Sequence, residues 1–253
     1  RWVDSDNVRF RYGLPEKVGG WQSLLTDSLV GVARKQHAFV DTEGNRYVAL
    51  GTDKFLLLYF EGQLFDITPF RCNNAGVVDS FTSSTLATNS TSVKTCTITT
   101  STDHDLSVGD IIELSSVTLP SGTGLNASDF EDKLFQVTSI TSTSVFTITQ
   151  ASNAGATVST GGSLQVKPYE QVGPAEQSYG YGWGTDTWGA GKWGEASSAD
   201  EVTLEPGLWS LSNFGEVLVA TIANGKTFTW NAGATNPLTV RASTATSGFA
   251  TTN

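Results

Sequence analysis

The sequence has no methionine, only two histidines and two cysteines, and a charged fraction of just 16 %. Each scarcity excludes something. Cys72 and Cys96 are too few and too far apart to form a disulfide framework, so two reduced, buried thiols are expected. No apolar run is long enough to cross a bilayer and no basic-then-apolar leader opens the chain. With Arg1 in place of an initiator, some N-terminal sequence is expected to precede the numbered chain. A basic stripe is also missing. The net charge is −10 with a pI near 4.6, and acids outnumber bases from Asp79 onward. Such a surface repels a phosphate backbone and disfavours stable nucleic-acid binding.

Catalytic signatures are equally scarce. There is no nucleophile elbow, no metal-spaced His/Cys cluster and no compelling carboxylate pair, so no catalytic residue, metal ligand or cofactor site is named and a non-enzyme is expected. His37 sits beside Gln36 and Ala38 with no local partner, which fits a structural histidine. His104 and Asp105 precede the Gly109 turn and read as exposed polar loop residues. Asp4-Ser5-Asp6-Asn7 lacks the glycine and distant glutamate of a calcium loop and reads as a turn.

What is present is Thr, Ser, Gly, Val and aromatics, a balance that favours strands and turns over helix. At 253 residues the chain can bury about 70–75 % of its unfolded surface, enough for one or two cores. Arg46 to Pro69 holds three apolar runs, Tyr47 to Leu50, Phe55 to Phe60 and Leu64 to Ile67, separated by Gly51-Thr52-Asp53 and Glu61-Gly62. This is a three-stranded antiparallel meander. The middle run is apolar at nearly every position, so both its faces should be covered. Val30 to Val40 adds a strand ahead of it, for a unit of four.

The pattern returns from Leu208 to Trp230, with turns at Asn213-Phe214-Gly215 and Asn224-Gly225. Leu50 superposes on Leu211, Leu56-Leu57-Leu58 on Val217-Leu218-Val219, and Phe65 on Phe228. Two copies of one supersecondary unit predict an all-β fold of propeller-like blades. Any two meanders share this much, and a ring needs more blades than the two visible.

Between the copies the texture changes. From Val77 to Lys167 short alternating runs (Val93 to Thr100, Asp110 to Leu114, Leu134 to Thr141, Val145 to Gln150 and Ser163 to Lys167) lie among Ser, Thr, Asn and Gly. They predict an inserted small β-barrel or sandwich domain. The expected organisation is a first blade region at 1–76, the inserted domain at 77–167, and a Gly/aromatic tract with the second blade region at 168–253. Pro237 to Arg241 offers one further strand.

Tyr179-Gly180-Tyr181-Gly182-Trp183-Gly184, then Trp188-Gly189 and Trp193-Gly194, is the oddest composition in the chain. Glycine disfavours helix there, and large rings in number need cover. They can fold onto the chain's own sheets, meet another copy, or stack on a sugar. Low entropic cost at interfaces favours the first two. Tyr179, Tyr181, Trp183, Trp188 and Trp193 are therefore the candidate subunit-contact or glycan-stacking residues.

Asn7-Val8-Arg9-Phe10-Arg11 with Gly13 to Lys17 and Gly19-Gly20-Trp21, the blade Val48 to Asp53 ending Asp66-Ile67-Thr68-Pro69, the Tyr-Gly/Trp-Gly tract, and Leu208 to Glu216 together resemble structural tail proteins of tailed bacteriophages. The likeness is greatest to the nozzle, or tail-tube stabilising, proteins of short-tailed phages. The resemblance implies a virion protein that forms a homo-oligomeric ring at the distal tail, joined to an adaptor or hub and to fibres. It also implies a channel through which DNA passes transiently. Nozzle proteins carry more propeller than this chain does. The competing expectation is a carbohydrate-binding module with the exposed Trp rings as platforms for a host glycan.

Overall fold

The computed structural model describes residues 7–20, 29–73, 75–88, 94–173, 206–223 and 225–245. The chain is all-β, with two short 3-10 turns at Ala127–Asp129 and Pro237–Thr239 as the helical elements among the described residues. Strands β1 (Val8–Arg11) and β2 (Leu14–Lys17) form a separate hairpin. The Gly13-Leu14-Pro15 segment thus turns the chain back into a second strand.

The first meander is a four-stranded antiparallel sheet, β3 (Ala33–Val40), β4 (Arg46–Thr52), β5 (Leu56–Phe60) and β6 (Gln63–Asp66), in sequence order. Asp41 closes the β3–β4 turn by accepting from the N–H groups of Glu43 and Asn45 at 2.9 and 2.8 Å, an Asx arrangement that its short carboxylate permits. Gly51 is part of β4 and not of a turn. A Cβ there would lie 2.6 Å from the Trp209 ring, so the glycine makes room for an indole whose Nε1 donates to the Thr52 carbonyl at 3.0 Å.

Six strands follow: β7 (Phe81–Thr88), β8 (Thr95–Thr99), β9 (Ile111–Thr118), β10 (Lys133–Ser142), β11 (Val145–Thr149) and β12 (Val158–Pro168). They close into a barrel in the order β10-β11-β8-β7-β12-β9. Alternation does the work, since Cys96, Ile98, Ile112, Leu114, Phe146, Ile148, Leu164 and Val166 point inward and the Ser and Thr between them outward. Closure leaves no free edge on this unit. β7 was not legible beforehand, because PheThrSerSerThrLeuAlaThr carries only two large apolar residues.

The second meander is β13 (Trp209–Phe214), β14 (Val217–Ile222), β15 (Thr227–Asn231) and a two-residue β16 (Ser243–Thr244). Again the sheet order follows the sequence. Pro237 to Arg241, expected as a strand, instead makes a 3-10 turn and a connection, as a proline at the first helical position allows. The superposition read from sequence is one strand out of phase. β3 and β13 are the first strands and touch each other, so β4 answers to β14 and β5 to β15.

The two sheets share one core. Phe39, Tyr47, Ala49, Leu56 and Leu58 of the first meet Trp209, Leu211, Leu218, Ala220, Phe228 and Trp230 of the second. Phe39 stacks on Tyr47 at 5.4 Å, and both rings meet Trp230 edge-on. One sequence expectation is corrected here. Leu56 and Leu58 are fully buried, but Leu57 and Tyr59 on the other face are only half-buried, so the described chain covers one face of β5 and not both.

Candidate functional site

The five aromatic candidates, Tyr179, Tyr181, Trp183, Trp188 and Trp193, fall within 174–205 and lie outside the described residues. The same is true of Asp4 to Asp6. Trp209 and Trp230 are described, and both are core residues with 3 % and 2 % exposure, so neither offers a ring face to a ligand.

Two constellations stand out instead. The first is a junction around Arg241 that joins all three large units. The guanidinium donates to Asp66 of β6 and to Glu113 of β9, each at 2.9 Å, and to the Thr68 carbonyl at 3.2 Å. It lies over the rings of Phe70 and Tyr169, with centroids at 4.8 and 4.6 Å, and the two rings meet each other edge-on. Tyr169 donates its hydroxyl to Asp66 at 2.8 Å. Burial pushes the Tyr169 phenol up, and the Asp66 carboxylate pushes it further. Burial works against the Arg241 charge, but Asp66, Tyr169 and Glu113 outweigh it and raise the group above its usual range. Arg241 thus stays charged at the centre of the clamp, an arrangement suited to docking. Nearby, Arg71 pairs with Asp79 at 2.9 Å and donates to the carbonyls of His104 and Asp105, and Lys226 pairs with Glu170 at 3.3 Å.

The second is a cleft of about 730 Å³ lined by both sheets, with Tyr47, Phe60, Phe65 and Leu238 among its apolar lining and Asp41 and Glu216 among its acids. Both acids are engaged in hydrogen bonds. Burial works to raise the Asp41 carboxyl, but hydrogen bonds from Asn45, Tyr47 and Glu43 hold it below the usual range. Glu216 accepts from the Thr42 N–H at 3.1 Å and from the Thr42 hydroxyl, tying the first turn of one sheet to that of the other. These carboxylates fasten turns.

The remaining polar residues resolve as structural contacts. His37 shares a 2.9 Å hydrogen bond with Asn213 across the β3–β13 seam. His104 is 1 % exposed and accepts at Nδ1 from the Leu106 N–H at 2.9 Å, with its ring edge-on to Phe146. Expected as an exposed loop residue, it is instead a core lid of the barrel; Asp105 alone of the pair stays exposed. Asp110, at 8 % exposure, accepts from the Ser107 N–H, and burial raises its carboxyl. Cys72 and Cys96 are free and buried in different cores, the Cys96 thiol being pushed up to about 11 by burial. Among the described residues no group of three or more His, Cys, Asp and Glu could hold a metal ion, and no helix is long and apolar enough to cross a membrane.

The architecture defines the class: an all-β protein in which two meander sheets share a core and a closed six-stranded barrel is clamped to them. No family model and no curated protein matches the sequence. A solved structure described as the Phage phi92 endosialidase is 16 % identical, with a TM-score of 0.27 over 78 % of this chain and 27 % of that one. The chain thus spans 27 % of that protein's length, and an overlap of that quality carries no argument about fold or role.

Proposed function

We propose that the chain is a structural component of a bacteriophage tail, of the nozzle kind, that assembles as a ring at the distal end. In this reading its two sheets are neighbouring propeller blades and the barrel is an inserted module. The observation that carries the reading is the shared core. The two segments bearing the tail-protein resemblance lie far apart in sequence, yet they fold as one unit of repeated four-stranded sheets in contact through their first strands. Stacked sheets with a common axis at their first strands are the packing unit of propellers. The Arg241 clamp fits the same role, because a module fixed by one guanidinium shared between two carboxylates transmits load to the sheets.

An acidic wall suits a channel that DNA must traverse without adhering, since like charge shortens residence on the surface. The partners in this reading are further copies of the chain, an adaptor or hub above and fibres at the side, and the function is mechanical, with no reaction catalysed. Localising the chain in intact particles by imaging and determining the mass of its assembled form tests the proposal. A strictly monomeric chain within purified particles overturns it. A glycan titration of wild type against Trp188→Ala tests the carbohydrate-binding reading, which requires loss of affinity in the variant.

A further inference from the structure

The two sheets offer opposite faces to their shared core, and among the described residues this leaves a matched pair of faces outside it. In a meander of L-residues, the side to which a residue's N–H and C=O point is fixed by which face its side chain occupies. In the first sheet Asp41 donates to Asn45, so the pairs two and four residues inward, Phe39 with Tyr47 and His37 with Ala49, are the hydrogen-bonded ones. Core-facing residues of β4 therefore bond back to β3. In the second sheet Ile222 donates to Lys226 and Ala232 to Glu216, which makes Leu218 with Trp230 and Ala220 with Phe228 the hydrogen-bonded pairs. Core-facing residues of β14 therefore bond forward to β15. Front meets back, and that is the heterologous kind of contact that can be repeated by another copy.

The register shows what the unused faces carry. The second hairpin of each sheet closes on a hydrogen-bonded pair, Thr52 with Phe55 and Ile222 with Lys226. With Thr52 set on Ile222, Val48 falls on Leu218, Leu57 on Phe228 and Tyr59 on Trp230. The free face of the first sheet thus bears apolar residues at the positions that build the core in the second, and all three are half-buried. Across the first hairpin Phe39 falls on Phe214. Phe39 is 5 % exposed, edge-on to Trp230 at 6.3 Å, whereas Phe214 is 79 % exposed. Around Phe214 the free face of the second sheet is Val217, Val219, Ser212 and Thr229, all uncharged.

We infer that a second copy of this chain docks head to tail, seating Phe214 and the free face of its second sheet on Val48, Leu57 and Tyr59 of the first copy. The inference rests on the ring reading above and specifies its contact. Phe214 meets Tyr59 of the neighbour as Phe39 meets Trp230 within the chain. Each copy retains one free face of each kind, so the contact propagates until it closes.

The test uses Phe214→Asp and Leu57→Lys, each spoiling one half of the contact, with mass by light scattering and thermal unfolding for each. Wild type is expected to assemble, and each variant to lose the assembly while unfolding near the wild-type temperature. Mixing the two variants restores one junction only, so a heterodimer and nothing larger is expected. A monomeric wild type overturns the inference, as it would if another segment of the chain covered the face. Assemblies indifferent to both substitutions, or a mixture that stays monomeric, overturn the head-to-tail contact. In those last two cases the tail reading survives, because it is decided separately by locating the chain in particles.

Discussion

The two meander sheets share strand order but are decorated differently. In the first, β5 is apolar on both faces; in the second, β15 alternates strictly, with Phe228 and Trp230 inward and Thr227, Thr229 and Asn231 outward, while β14 keeps Val217 and Val219 on its outward face. A strand with one wet face alternates, and one covered on both sides does not. The comparison teaches that the free face of the first sheet is apolar along its third strand and that of the second along its second strand and at Phe214, so each carries residues that a neighbour can cover.

The largest effect expected from breaking this comparison is at Trp230. Trp230→Ala removes the ring that Phe39 and Tyr47 pack against and should cost about 3–5 kcal/mol, whereas Phe214→Ala, at the exposed counterpart of Phe39, should leave monomer stability within about 0.5 kcal/mol. Chemical denaturation of both variants checks the contrast. Next comes the clamp. Arg241→Met leaves Asp66 and Glu113 without their shared cation and should cost about 3 kcal/mol, with the barrel separating from the sheets as an earlier unfolding step in calorimetry.

A smaller loss is expected where β4 packs on β13. Gly51→Ala puts a methyl into the Trp209 ring and should cost about 1–3 kcal/mol, and Trp209→Phe in the same chain should recover part of it. The smallest effect lies in the barrel, away from the seam. Burial raises the folded Asp110 carboxyl above its unfolded value, so the stability it contributes is fully present below the ordinary carboxylate range and is lost as pH rises through the raised folded value. Asp110→Asn, which keeps an acceptor for the Ser107 N–H, should flatten this fall, read as a smaller difference in melting temperature between acid and neutral pH.

Legibility followed the strength of local patterns. The meanders showed in sequence because dense apolar runs between Gly and Asp turns have one sensible reading, and most barrel strands showed through alternation. β7 did not, because a Ser/Thr-rich strand earns its place through partners on both sides. The phase of the repeat was misread for a related reason: the β4–β5 and β13–β14 hairpins look alike as strings, and only strand pairing shows which is the first of its sheet. His104 looked like a loop residue since nothing in HisAspLeuSer announces a lid on Phe146. The Arg241 clamp was invisible, drawing Asp66, Glu113, Tyr169 and Arg241 from four distant places whose spacing has no local period.

By itself the sequence determined that the chain is built of strands, where its two meanders lie and that its surface is acidic, since these depend on composition and on interactions a few residues apart. The tertiary structure decided which faces meet, because the facing of a sheet is set by hydrogen-bond parity across strands and by long-range packing. It also decided that four scattered residues form one ionic joint and that one phenylalanine is buried while its counterpart stands in solvent.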